Sequence, residues 1–266
     1  MQTFQKDNRI VLTLDAGGTN FVFSAMKAGE IIVNPIKKPS NAHDLDKCLT
    51  TIVDGFLEVK KSLHEEPVAI SFAFPGPADY VNGIIGDLPN LPAFRGGVAL
   101  GPFLEERFKI PVFINNDGNL FAYGEALAGM LPLINSELKN TGGSKQYKNL
   151  IGLTLGTGFG GGLVFNNQLL TGDNSISAEV WLMSNRVNPL YNAEEIVSTR
   201  SIIAEYQKES NLKNVDLMPV DIFKIAKGEK EGDKNAAVKA FEFFGRGIGD
   251  VIANLITLFD GIVVLG

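Results

Sequence analysis

Alternating apolar and polar positions open the chain. Residues 9–15 (RIVLTLD) and 20–27 (NFVFSAMK) have the period of two expected of strands, and the glycine turn DAGGT joins them as a hairpin. A third strand is expected over 30–37, after the Ala28-Gly29 turn. Over 44–61 the period becomes helical, with Leu45, Cys48, Leu49, Ile52, Phe56 and Val59 near one face. The run 68–74 (VAISFAF) reads as a buried strand, and Pro75-Gly76-Pro77 ends it in a rigid turn. A helix around 101–108 precedes a strand at 112–114, which runs through NNDGN into a helix over 120–128. Residues 135–148 are polar and glycine-bearing and read as a surface loop. The pattern then restarts with a strand at 150–155, its partner at 162–165 and a short third strand at 168–170. Helices are expected around 194–209, 220–227 and 233–259, and a last strand at 262–265.

The two halves vary one theme. Residues 12–23 read LTLDAGGTNFVF and residues 153–165 read LTLGTGFGGGLVF. A repeat on this scale calls for two similar units packed together. Each unit mixes an antiparallel hairpin with strands reached through helices, so the expected class is α/β. A smaller N-terminal lobe, 1–118, and a larger C-terminal lobe, 119–266, would leave a cleft between them, where ligands tend to bind.

Composition narrows the function classes. With 266 residues, 45% of them hydrophobic, the chain is large enough for two cores. A net charge of −6, with no run of lysine or arginine, leaves no electrostatic footprint for nucleic acid. Cys48 is the only cysteine, which excludes an intrachain disulfide and fits a reducing, cytoplasmic setting. One cysteine and two histidines also argue against a structural zinc site. The start of the chain lacks a signal pattern, and the apolar stretch 251–266 is short for a bilayer and is broken by Asn254 and Asp260, so no membrane partner is expected.

The glycines carry the first chemical signal. A hairpin tip of bare glycines presents backbone N–H groups in a concave nest that suits phosphate. On the residues alone, Gly17-Gly18 and Gly160-Gly161-Gly162 also fit plain tight turns; two matched turns in matched positions favour a phosphate site shared by two lobes. The pattern of a P-loop is absent, and the glycines do not follow the strand-then-helix order of a dinucleotide fold. If both turns grip one polyphosphate, one carboxylate suffices to hold the Mg²⁺ that neutralises it, directly or through water. Asp15 stands there in the first copy, and Gly156 in the second leaves room for phosphate oxygens. Asp117, between a buried strand and a helix, fits two roles on the residues alone. It is placed to accept a hydroxyl proton in phosphoryl transfer, or to cap the helix that follows.

The segments LTLDAGGTN, FAFPGPAD, LPNLPAF, INNDGNLFAYGEA, LGTGFGGGLV and AEV, in this order, give the chain a specific likeness. From about Val11 to Gly266 it resembles the ROK family of sugar kinases and regulators, within the actin-like ATPase superfamily. That resemblance implies two ribonuclease-H-like lobes flanking a central cleft, ATP and Mg²⁺ as cofactors, a small-molecule sugar as partner, and a homodimer as an assembly. It implies phosphorylation of a hexose at its 6-hydroxyl, as in glucokinases, with Asp117 as catalytic base. Asn116, Asp117, Glu179, Glu194 and the backbone at Gly76 would bind the sugar. Asp15, Gly17, Gly18, Thr19, Gly156, Thr157, Gly158 and Gly160 would bind nucleotide phosphates, with Asp15 on the metal.

The departures from the family are informative. Residues 178–183, AEVWLM, stand where the family has G-E-x-G-H-M, so Leu182 replaces a histidine that contacts sugar and binds zinc. The cysteine cluster that follows in the family is here SNRVNPLYN. A zinc-free site is therefore expected, with Trp181, Leu182 and Met183 packed into the core in the metal's stead. The chain stops at IVVLG, where the family continues to adenosine-binding elements, so the C-terminal lobe is expected to be incomplete at its end. Little chain precedes Val11, so the helix-turn-helix of the family's repressors is not expected. The alternative to a kinase is a non-catalytic sugar-binding sensor, or a degenerate kinase, that keeps the fold.

Overall fold

The first hairpin forms as its alternation requires. In a computed structural model that describes residues 3–76, 78–86, 91–213 and 216–266, β1 (Val11–Ala16) and β2 (Asn20–Lys27) pair antiparallel, from Val11 opposite Met26 to Ala16 opposite Phe21. Leu12, Leu14, Phe21 and Phe23 are buried. Pro77 of the PGP turn and Leu88, Pro89 and Asn90 of the LPNLPAF segment lie outside the described residues. The expected third strand is divided: β3 (Glu30–Ile31) and β4 (Ile36–Pro39) each pair with β2. The register shifts by two residues between them, from Ile31 opposite Met26 to Ile36 opposite Phe23, and residues 32–35 leave the ladder.

Helix α1 (Leu45–Lys61) is capped by Asp44, whose carboxylate accepts from the Lys47 N–H at 3.1 Å. It buries Cys48, Ile52, Phe56 and Val59. The Phe56 ring meets Phe23, Phe72 and Phe108 at centroid distances of 5.3, 6.1 and 5.9 Å. These aromatic contacts fasten α1 to both β2 and β5 (Ala69–Ala73), so the strands that carry the site rest on a rigid layer. Next come β6 (Ile84–Ile85) and β7 (Val98–Ala99), a small ladder of their own, and α2 (Leu100–Phe108). Strand β8 (Val112–Asn115) then lies parallel to β5 and leads into α3 (Asp117–Leu127). The sheet runs β3-β2-β1-β5-β8, with β4 also on β2.

The segment expected to be a loop over 135–148 is helical in its first part. Helix α4 (Met130–Asn140) places Leu131, Ile134 and Leu138 on one face, with Leu131 buried. The apolar run MLPLI gives way to the polar NSELKN at Asn135, and the helix continues through that change. Asn135 secures the remaining loop, donating to the Tyr147 carbonyl and accepting from its N–H, both at 2.8 Å.

In the second sheet, β9 (Leu150–Leu155) pairs antiparallel with β10 (Phe159–Phe165), and β11 (Gln168–Leu169) extends β10. Short 3₁₀ turns at Val180–Leu182 and Ala193–Glu195 precede α5 (Thr199–Ser210), α6 (Pro219–Lys227) and α7 (Lys234–Phe259). The helix expected from residue 194 thus begins later, because Ser198 is extended, with φ −152° and ψ 163°. The last strand, β12 (Ile262–Leu265), lies parallel to β9, giving the order β11-β10-β9-β12. By packing, the chain divides into one unit of Met1–Leu120 with Thr171–Ile176 and another of Phe121–Leu170 with Ser177–Gly266. Among the described residues no helix is long and apolar enough to cross a membrane.

Candidate active site

In the first unit, strand register sets the site. Asp15 on β1 lies opposite Ala73 on β5, and Ala73 lies opposite Asn115 on β8, all three strands running parallel. Neighbouring strands are about 4.8 Å apart, so their carboxyl ends form one short edge, the place where open α/β sheets bind ligands. The segments leaving these three ends are the ones singled out in the sequence: the turn 17–19, the turn holding Gly76, and Asn116 with Asp117.

The turn 17–19 is closed by the Gly17 N–H, which donates to the Asn20 carbonyl at 3.1 Å. A Cβ on Gly17 would sit 2.9 Å from that oxygen, so glycine is required. Ser40 supports the turn from β4's end, its hydroxyl donating to the Gly18 carbonyl at 2.5 Å and its N–H to the Thr19 carbonyl at 3.0 Å. The N–H groups of Gly18 and Thr19 donate to no protein acceptor among the described residues. Asp15, beside them, is exposed. At Gly76 a side chain would collide with the Tyr80 hydroxyl, which donates to the Phe74 carbonyl at 3.0 Å.

The two roles open to Asp117 separate in the structure. The capping oxygen belongs to Asn116, whose Oδ1 accepts from the N–H groups of Gly118 at 2.8 Å and Asn119 at 3.3 Å. Asp117 is exposed at the head of α3, with Oδ1 accepting from the Gly118 N–H at 2.9 Å. Among the described residues its second oxygen has no protein partner. Asn115 Oδ1 accepts from the Asn116 N–H at 2.8 Å and from Asn119 Nδ2 at 3.1 Å, bracing the start of the helix. Asn115 belongs to the NND stretch marked in the sequence, whereas Asn119 did not stand out, although its spacing of four from Asn115 across a strand-to-helix junction is the available signal.

In the second unit the turn is displaced from its expected place. It spans 156–158, closed by the Gly156 N–H donating to the Gly158 carbonyl at 3.0 Å. Gly160, Gly161 and Gly162 lie in the β10 ladder, opposite Thr154, Leu153 and Gly152. They are therefore not the hairpin tip, and Gly160 stands outside the turn that holds Gly156, Thr157 and Gly158. At Gly161 the need is for space, since a Cβ would lie 3.0 Å from both methyls of Val180 and 3.1 Å from the Ala178 carbonyl oxygen.

That close approach brings Glu179 onto the sheet. Val180, 3% exposed, is the anchor, and the Trp181 indole N–H donates to Glu179 Oε2. Ala178 adopts a left-handed φ of 66°, where the family pattern has glycine. Leu182 is 56% exposed, so the expectation that it packs into the core is corrected; Val180 fills that role, with Trp181 and Met183 partly buried beside it.

Glu194 is held on the turn itself. Its Oε2 accepts from the Phe159 N–H at 3.1 Å, and its Oε1 from Arg200 Nη2 at 3.1 Å. A Cβ on Gly158 would stand 2.8 Å from Oε2, so this glycine makes room for the glutamate. Hydrogen bonding to Glu194 raises the Arg200 pKa above its ordinary value. Arg200 went unnoticed in the sequence, where its distance of six from Glu194 crosses a helix start and gives no periodic signal.

The sheet orders and the paired hairpins define an α/β protein of the actin-like ATPase superfamily, built of two ribonuclease-H-like units. Residues 11–266 match the sequence profile of the ROK family, and the chain belongs to that family. It is similar to the glucokinase of Parabacteroides distasonis ATCC 8503, a crystal structure, with 56% identity and a TM-score of 0.95, covering 100% of this chain and 74% of that one. The glucokinase of Thermotoga maritima is 32% identical over 171 residues, 64% of this chain and 49% of the relative. The N-acetyl-D-glucosamine kinase of Photobacterium profundum is 29% identical over 275 residues, 95% of this chain and 82% of the relative. The chain spans about half the length of the curated glucokinases it matches.

Proposed function

We propose that the chain is a sugar kinase that transfers the γ-phosphoryl group of ATP to the 6-hydroxyl of a hexose. The observation that carries this reading is the Asp117 carboxylate, exposed at the carboxyl edge of the parallel strands and relieved of capping by Asn116. In the proposed reaction Asp117 takes the proton of the 6-hydroxyl as that oxygen bonds to the γ-phosphorus and the bond to the β-phosphate oxygen breaks, leaving ADP. Asn116 Nδ2, the backbone at Gly76 and the carboxylates of Glu179 and Glu194 hold the sugar's other hydroxyls. The unpartnered N–H groups of Gly18, Thr19, Thr157 and Gly158 donate to phosphate oxygens.

One exposed carboxylate beside such donors suits Mg²⁺, which keeps most of its waters and takes one or two protein oxygens. Asp15 would hold it, and when bound it neutralises charge on the phosphates. The glucokinase relative at 56% identity supports glucose as acceptor, whereas the N-acetyl-D-glucosamine kinase relative supports a 2-substituted sugar. An ADP-release assay over glucose, mannose, fructose, N-acetylglucosamine and N-acetylmannosamine tests the proposal. Release that depends on one of these sugars, and not on its 6-deoxy analogue, is expected. No sugar-dependent release from any of them would overturn it.

A further inference from the structure

We propose that Arg200 couples the second glycine turn to the sugar-side glutamate, so that sugar and nucleotide reinforce each other's binding; this rests on the function proposed above. Each residue of the turn is tied to the segment 194–200. The Thr199 N–H donates to the Gly156 carbonyl at 2.9 Å. Arg200 Nη1 donates to the Thr157 carbonyl at 3.2 Å. Gly158 packs under Glu194, and the next N–H, of Phe159, donates to that carboxylate.

The geometry of the peptide unit gives these ties a consequence. In a trans peptide the C=O and the following N–H point in opposite directions. Holding the Gly156 carbonyl therefore aims the Thr157 N–H away from α5, and holding the Thr157 carbonyl does the same for the Gly158 N–H. Those two N–H groups have no protein acceptor among the described residues. Arg200 is thus a positioning residue for the phosphate donors.

The other arm of the same guanidinium engages Glu194 Oε1 at 3.1 Å and Glu195 Oε1 at 3.3 Å. The planar fork cannot reorient toward the carboxylate without moving the arm on Thr157. A carboxylate oxygen accepts more than one hydrogen bond, so a sugar hydroxyl can donate to Glu194 while Arg200 stays in place. Fixing Glu194 in this way fixes Arg200, and the donors of the turn are ordered before the nucleotide arrives. Prior ordering of this kind raises the affinity of the second ligand.

Calorimetry with a non-hydrolysable ATP analogue, with and without the hexose that supports ADP release, tests the inference on the native protein and on Arg200→Ala and Arg200→Lys. The native protein should bind the analogue about fivefold or more tightly when sugar is present, and the sugar should gain the same factor from the analogue. Arg200→Ala should reduce that factor to less than about twofold, and Arg200→Lys, which keeps charge without the fork, should fall between. The Arg200 side chain is 52% exposed, so truncation leaves no core cavity, and the lysine variant covers the case in which alanine unfolds. Coupling retained in full by Arg200→Ala, or by Arg200→Lys when alanine unfolds, would overturn the inference, as would its absence from the native protein. If the native protein also binds neither ligand, the proposed function falls with it; sugar-dependent ADP release without coupling overturns the inference alone.

Discussion

The hairpin of β1 and β2 and the hairpin of β9 and β10 carry almost the same line of residues, yet their glycines answer to different neighbours. In the first, Gly17 faces a carbonyl of its own turn, and an exposed carboxylate, Asp15, stands beside that turn near the end of β1. In the second, glycines make room for other segments: Gly152 for Ala122 of α3, Gly158 for Glu194, and Gly161 for Val180 and Ala178. Under the proposed function the first hairpin would supply the carboxylate for the metal, whereas the second makes room for Glu194 and for the segment that carries Glu179. Under that proposal one carboxylate suffices, which fits Asp15 in the first copy and Gly156 in the second.

The largest effect that would sharpen this contrast is at Asp117. Asp117→Asn should cut turnover by about 10²–10⁴-fold, with melting nearly unchanged because Asn116 caps the helix. Asn116→Ala should instead cost about 1 kcal/mol of stability in a urea titration. A stability loss in Asp117→Asn with turnover intact would return Asp117 to a structural role.

Next comes steric damage in the second region. A Cβ on Gly152 would fall 2.7 Å from the Ala122 Cα, backbone that cannot give way easily. Gly152→Val should therefore cost roughly 3 kcal/mol, read as an early urea midpoint. By contrast, a Cβ on Gly156 meets nothing within 4 Å. Gly156→Ala should melt like the native protein while weakening the ATP analogue by about tenfold, near 1.4 kcal/mol. Equal affinity in that variant would remove the turn 156–158 from the phosphate site.

A smaller effect separates the units by reporter. Cys48 is the only cysteine and lies in the first, whereas Trp181 is the only tryptophan and lies in the second. Burial pushes the Cys48 thiol from 9.0 up to about 11. The folded state then holds its proton to higher pH than the unfolded state, so stability falls as pH rises from about 9 to about 11. Cys48→Ala should make that decline shallower, as followed by urea unfolding at each pH.

The strands flanking both glycine turns were legible because period-two alternation and glycine punctuation coincide there; β2, β9 and β12 match the expected bounds. The second half of α4 was hidden, since residues 135–140 (NSELKN) carry a single large apolar side chain, Leu138. The tip of the second hairpin was misread for a related reason. Glycine marks both turns and close approaches, and only the neighbours, Val180 and Glu194, tell which applies. Asp117 and Asn116 were legible as a pair, but which of them caps the helix depends on which side-chain oxygen reaches the Gly118 and Asn119 N–H groups. Arg200 was not legible at all, since its partners are a carbonyl and two carboxylates brought near by the fold.

The difference between Asp15 and Gly156 is tested most directly by titrating the non-hydrolysable ATP analogue in Mg²⁺ and in EDTA. The native protein should bind more tightly in Mg²⁺, Asp15→Asn should lose most of that difference, and Gly156→Ala should weaken binding equally in both. Full Mg²⁺ dependence in Asp15→Asn would contradict the account.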